Sequence, residues 1–165
     1  MSISITFQLI KDQGVDHTNM TLEYLDSIFY SKDNSFTFYK SHDILDFLVN
    51  HKYRDRLKNG KYPFDLPVQT KLFFGENRIN LKKFDYDGIA HILNATHIQD
   101  IYSYFQSVES QTYPNLELVN QCGIYPYDHI WTQELLNPFI NDLEEVKNIL
   151  KVAKEESYLT LITIH

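Results

Sequence analysis

The residues best suited to metal chemistry lie around the middle of the chain. His91 and His97 are six positions apart, and Asp87 lies four positions before His91. Three oxygen or nitrogen ligands of this kind would suit an open zinc site. No second ligand pair fixes the geometry, and apolar residues flank His91, so we predict no metal site.

The same region contains a fragment that resembles a calcium loop. The run from Asp85 to Gly88 reads DYDG, but a third acid before the glycine and the later bidentate glutamate are both missing. We therefore predict a turn in which Gly88 has a positive φ.

Nucleophilic chemistry has little support in the sequence. Cys122 is the single cysteine, and beside Gly123 and Ile124 it is predicted to be a small buried hydrophobic residue. A serine elbow, a phosphate-binding Walker loop, a dinucleotide fingerprint and the HExxH motif are all absent from the sequence. We predict no catalytic residue and no cofactor.

A basic stretch offers an alternative chemistry, the binding of phosphate or RNA. Its cations, interleaved with tyrosines, are Lys52, Arg54, Arg56, Lys58 and Lys61. The segment from His51 to Lys83 carries a net +6, whereas the rest of the chain carries −13. The overall charge of −7 disfavours nucleic acid and is compatible with a basic protein partner.

The most unusual segment is aromatic and precedes the last helix. It reads Tyr125-Pro126-Tyr127-Asp128-His129-Ile130-Trp131. Aromatic residues with polar tips are typical of a binding edge. The competing interpretation is a loop that plugs the core with Trp131 as its anchor, and we favour it because a lone Trp in a small domain is well buried on average.

The elements that position these residues follow from hydrophobic periodicity. Strands are predicted over residues 3–10 and 158–164, the second buried on both faces. Helices are predicted over 19–30, from a Ser41 cap to about Lys52, from a Thr96–Gln99 capping box to Val108, and from an Asn137 cap with Pro138 at the first helical position. Residues 35–39 are a strand or a loop, and residues 68–74 are a short helix or a strand.

These elements predict an α+β fold formed by one domain, residues 1–165. Its small sheet includes the N- and C-terminal strands as potential neighbours, and about four helices cover it. With 165 residues, 43% of them apolar, the chain needs no disulfide to fold. Without a basic leader or an apolar run of membrane-spanning length, we expect a cytoplasmic location.

Three stretches resemble the YfbM-like family of small bacterial proteins, a domain of unknown function. They are residues 86–108 (YDGIAHILNATHIQDIYSYFQSV), an N…IYP…W pattern, and a long final helix that runs into an apolar strand over 139–164. The pattern is formed by Asn120, Ile124, Tyr125, Pro126 and Trp131, and the opening MSISITF also fits. The resemblance implies an α+β fold and cytoplasmic residence, and no established activity.

The sequence departs from this family at two places. His42, Asp43 and Asp46 stand where the family often has a Trp-His pair and a further His. Residues 87–90 read DGIA where a Gly-Pro turn with an Arg is common. A polar pocket that depends on those family residues would be missing here.

We expect a non-catalytic macromolecule-binding module, for example an antidote or immunity protein against a basic toxin. Its partner would be another protein and not a membrane, and the chain would be a monomer or a weak homodimer. The alternative is a small-ligand-binding protein or enzyme with a polar pocket. The candidate binding residues are Tyr86, Asp87, His91, Tyr125, Tyr127, Asp128 and Trp131.

Overall fold

Apolar alternation in the strands and caps at the helix starts explain most of the elements of this protein. Its structure is a computed structural model that describes residues 4–12, 14, 21–29, 34–53, 67–73, 78–79, 88–107, 114–125 and 130–165. The strands are β1 (Ile5–Lys11), β2 (Ser35–Phe38), β3 (Arg78–Ile79), β4 (Ile89–Leu93) and β5 (Tyr158–Ile164). The helices are α1 (Leu22–Phe29), α2 (His42–Asn50), α3 (Ala95–Ser107), α4 (Leu116–Cys122) and α5 (Gln133–Glu155). Short 3₁₀ segments span His51–Tyr53 and Val68–Leu72.

The strands form one antiparallel sheet in the order β2-β1-β5-β4-β3. The first and last strands are neighbours, with Phe7 opposite Ile162. β5 lies between β1 and β4, and every residue after Tyr158 in this strand is buried. The predicted α+β fold, its two terminal strands and the double burial of the last strand are confirmed.

The two faces of the sheet have different coverings, because successive strand residues point to opposite sides. On one face, Phe7 and Ile162 belong to the large core that includes residues of α2, α3, α4 and α5. On the other face, Ile10 and Leu161 pack in a smaller cluster with Ile28 of α1. The Gln8 side chain lies on this second face and donates to the Ile28 carbonyl. The site described below lies on the side of the large core.

Helix α5 begins five residues earlier than predicted. Thr132 is its cap, and the Thr132 side chain accepts from Leu135 N at 3.3 Å. Pro138 consequently lies inside the helix and not at its first position. Proline removes one backbone hydrogen bond there, but the extra turn buries Leu136 against the core.

Helix α3 also begins earlier than the predicted capping box. Asn94, the single residue between β4 and α3, accepts from His97 N at 2.9 Å through its side chain. Thr96 is therefore an exposed residue within the helix, and the Gln99 side chain bonds to Ser103. The prediction of a Thr96–Gln99 capping box was wrong because the asparagine at the strand end supplies the cap first.

Three further segments are settled by the structure. Residues 35–38 are a strand, and residues 68–72 are a 3₁₀ helix, whereas the sequence allows two alternatives in each case. Ser41 precedes α2 as predicted but makes no side-chain cap. In the part of the chain that the structure describes, no helix has both the length and the apolar character needed to cross a membrane.

Candidate functional site

Trp131 is an anchor within the core. Only 2% of its surface is exposed, and its ring meets Phe139 edge to face with centroids 5.5 Å apart. Its indole Nε1–H donates to the carbonyl of Ile124 at 3.1 Å. This bond joins Ile124 to Trp131, and we call the four described residues at these two positions, 124–125 and 130–131, the closed loop; residues 126–129 lie outside the described residues.

Asn120 of α4 holds the same end of the closed loop through the backbone. Its Oδ1 accepts from Trp131 N at 2.6 Å, and its Nδ2 donates to the Trp131 carbonyl at 3.1 Å. One planar amide thus satisfies both backbone groups of Trp131. Gly123, in the left-handed conformation with φ 57°, ends α4 just before the loop begins.

The start of the closed loop is bonded to helix α2. The backbone N–H of Tyr125 donates to Asp43 Oδ2 at 3.0 Å, and the Tyr125 side chain is half-buried. Two residues before Asp43, the Ser41 hydroxyl contacts Asp142 Oδ2 of α5, also at 3.0 Å. The N-terminal end of α2 therefore connects the closed loop with α5.

Two large apolar side chains project into solvent next to these bonded residues. Ile130, adjacent to the buried Trp131, is 73% exposed, and Tyr39, whose carbonyl accepts from Ser41, is 76% exposed. We call Tyr39 and Ile130 the exposed pair. Exposure of apolar surface to water is unfavourable, and burying it in a protein contact lowers the free energy.

Among the described residues of this region, Asp142 has a carboxyl group whose pKa is displaced. Burial raises the pKa of its carboxyl group, and the hydrogen bond from Ser41 partly opposes that rise. The carboxylate therefore lies close enough to the core for desolvation to outweigh the hydrogen bond that it accepts from Ser41.

The sequence around the closed loop is strongly acidic. From Phe84 to Val146 the chain has ten Asp and Glu residues and no Lys or Arg. Glu117 of α4 and Glu134 of α5 are exposed members of this set. An open depression of about 320 Å³ lies along α4 and is lined by Asn115, Glu117, Leu118 and Gln121.

His91 lies in the core and not at the surface. It is fully buried in β4, opposite Ile162, and its Nε2 is 3.2 Å from the carbonyl oxygen of Leu72. Two other histidines contact the neighbours of Leu72: His97 Nε2 lies 3.5 Å from Lys71 Nζ, and the His42 ring meets Phe73. Within the described ranges no three His, Cys, Asp or Glu residues are grouped to hold a metal ion.

The other predicted site residues are placed as follows. Tyr125 and Trp131 belong to the same closed loop, whereas Tyr86, Asp87, Tyr127 and Asp128 lie outside the described residues. Of the basic stretch, Lys52 is exposed after α2, and Arg54, Arg56, Lys58 and Lys61 lie outside the described residues. The small-ligand and the phosphate or RNA alternatives therefore remain predictions.

The prediction for Gly88 is confirmed, and the prediction for Cys122 is wrong. Gly88 has φ 117°, as the predicted turn requires, and a Cβ there would overlap the carbonyl oxygen of Ile164. Cys122 is a free, exposed thiol at the last residue of α4, so the prediction of a buried cysteine was wrong. Ile124, two residues later, is fully buried in the core, whereas Cys122 is exposed at the end of α4.

Comparisons with known proteins identify the fold. No family model and no curated protein matches the sequence. Among solved structures, YfbM from Escherichia coli, a protein of unknown function, matches 98% of this chain and 99% of its own with a TM-score of 0.63 and 17% identity. The chain has a YfbM-like fold.

Hydrogen bonds in this chain explain the N…IYP…W spacing. Asn120 bonds the backbone of Trp131, and Ile124 accepts from its indole. The sequence identifies these residues only as a pattern and does not reveal the roles of Asn120 and Asp43. The spacing is the signal by which the sequence could have identified Asn120. Asp43 has no such signal, because its partner Tyr125 is 82 residues away in the sequence.

Proposed function

We propose that the chain is a non-catalytic protein-binding module whose contact surface is the closed loop with the exposed pair. The observation that carries this proposal is the contrast between adjacent residues. Trp131 is bonded and buried, while Ile130 beside it is 73% exposed. An apolar side chain next to a residue that is bonded and buried resembles the anchors of protein interfaces, which lose little conformational freedom on binding.

The charge around this surface favours a basic partner. From Phe84 to Val146 the chain around the closed loop has acids and no Lys or Arg, and the exposed Lys40 next to Tyr39 is the cation beside the other member of the exposed pair. Opposite charge on a partner would raise the association rate and orient the encounter. An antidote or immunity role against a basic toxin is one function of this kind.

Membership of the YfbM-like family is part of the same proposal. The common fold and the N…IYP…W spacing support it. We also propose a cytoplasmic location, where the exposed thiol of Cys122 would stay reduced.

A matched pair of variants tests the contact surface. The bait is the full chain, used to capture proteins from cells that produce it, and the prey is quantified by mass spectrometry. Ile130→Lys replaces the exposed apolar side chain of the closed loop with a cation, and Val152→Lys makes the same change on α5, where Val152 is 44% exposed.

We expect one stoichiometric protein to bind the wild type and Val152→Lys but not Ile130→Lys. Its capture should weaken with salt, because the electrostatic part of association is screened. Equal capture by both variants, or no stoichiometric protein at low and moderate salt, would contradict the proposed function.

A further inference from the structure

We infer that Asn120 is a positioning residue that holds the closed loop in the shape required for binding. The inference about loop shape stands on the structure alone, and its consequence for affinity rests on the proposed function. Asn120 acts through Trp131, since its amide bonds the Trp131 backbone and leaves the neighbouring Ile130 side chain to solvent.

The chemistry of asparagine matches this task. The amide carries an acceptor and two donors in one plane, so the bonds to Trp131 N and O fix both the position and the orientation of that residue. Aspartate at this position would keep the acceptor for Trp131 N–H and lose the donor to the carbonyl. Alanine would lose both.

The other bonds of the loop ends depend on where Trp131 sits. Its indole reaches Ile124 only from the present backbone position, and Tyr125, the next residue, is bonded in turn to Asp43 of α2. If the Asn120 bonds are removed, the Trp131 backbone is free to shift and the bond across the loop becomes weaker. Ile130 would then sample several positions before binding.

A loop that is ordered before binding loses less conformational entropy when the complex forms. Loss of the Asn120 amide should therefore lower affinity although Asn120 does not touch the partner. We expect Asn120→Ala to weaken binding roughly two- to tenfold, the range that ordering one or two side chains implies.

The test uses the full chain with three variants. Asn120→Ala removes both bonds, Asn120→Asp keeps one, and Gln121→Ala is the control on the next residue, whose exposed side chain bonds to Glu117. Trp131 is the only tryptophan, so quenching of its fluorescence by acrylamide reports on the closed loop alone. Amide hydrogen exchange of the closed loop and of β5 separates local from global opening.

We expect faster exchange in the closed loop and stronger quenching in Asn120→Ala, smaller changes in Asn120→Asp, and none in Gln121→Ala, with β5 protected throughout. Unchanged exchange and quenching in Asn120→Ala would overturn the inference. So would equal acceleration in the loop and in β5, since Asn120 would then stabilise the whole fold and not the loop.

Binding to the protein captured by the wild type supplies the second readout. Unchanged affinity of Asn120→Ala despite a loosened loop would overturn the positioning role. If the wild type captures no protein, the proposed function fails by itself, and quenching and exchange still decide whether Asn120 shapes the loop.

Discussion

Trp131 supports the closed loop through its indole N–H as well as through its ring. Trp131→Phe keeps an aromatic ring near Phe139 but leaves the carbonyl of Ile124, a fully buried residue, without its donor. A buried acceptor without a partner costs about 1–3 kcal/mol, so we expect the free energy of unfolding to fall by that amount. Urea unfolding followed by circular dichroism measures it, and an unchanged value would show that the indole bond contributes nothing.

His51 makes stability depend on pH. It follows α2, and burial lowers its pKa below the ordinary value of 6.5, with Lys52 lowering it further and the backbone hydrogen bond to Phe47 O opposing. The folded chain thus binds this proton less readily than the unfolded chain. The stability that neutral His51 provides is complete above the unfolded pKa and is lost as the pH falls through the folded pKa.

We therefore expect His51→Gln to reduce the loss of stability between about pH 7.5 and about pH 5. Urea midpoints for wild type and variant across this range measure the difference. Parallel pH profiles for the two proteins would show that His51 ionisation is not linked to folding.

The helix starts are decided by competing caps. If Thr132 is the cap of α5, Thr132→Ala should lower the free energy of unfolding by about 1 kcal/mol. Asn137 lies inside the helix, and its side chain accepts a bond from the Gln133 side chain, so it should contribute no more than about 0.5 kcal/mol. Thermal unfolding of the two alanine variants checks this order, and the reverse order would favour a helix that starts at Asn137.

Glycine at the entry to β4 is required for a steric reason. Gly88 has φ 117°, and a Cβ there would overlap the Ile164 carbonyl oxygen of β5. Gly123 has φ 57°, and a Cβ added to it would meet no atom within 4 Å, so it provides a control with backbone strain alone. We expect Gly88→Ala to cost about 3 kcal/mol and Gly123→Ala about 1 kcal/mol of unfolding free energy. Equal losses in chemical denaturation would contradict this close approach.

The two terminal strands were predictable and the helix boundaries were not, for a physical reason. β1 and β5 carry their burial pattern in consecutive residues, so local periodicity identifies them. The starts of α3 and α5 depend on a choice between two nearby caps, which tertiary burial of residues such as Leu136 decides. α4 escaped prediction because its seven residues include only one buried residue, Val119.

The candidate site was predictable only in part. The sequence identified Trp131 as an anchor because of its rarity and its aromatic neighbours. It did not reveal that Ile130 points to solvent, or that Asp43 bonds the loop across 82 residues. Contacts between elements far apart in sequence leave no local pattern, and His91, a candidate binding residue, is a fully buried residue of β4.

In the molecule as a whole, the large core on one face of the sheet supports the proposed contact surface. The helices of the large core fix Trp131 and the N-terminal end of α2, and these in turn hold the closed loop. Tyr39 lies two residues before Ser41 at the start of α2, and Ile130 lies next to Trp131 in the stretch from Phe84 to Val146, which has no Lys or Arg. Residues 147–156, with Lys147, Lys151 and Lys154 against Glu155 and Glu156, carry a net charge of +1 and serve as an internal reference.

Hydrogen exchange of the full chain, with and without the protein it captures, would locate the contact surface. We expect added protection of backbone amides at residues 39–43 and 130–132 and none at residues 147–156. Protection confined to residues 147–156, or the absence of any change at residues 130–132, would contradict a binding surface built on the closed loop.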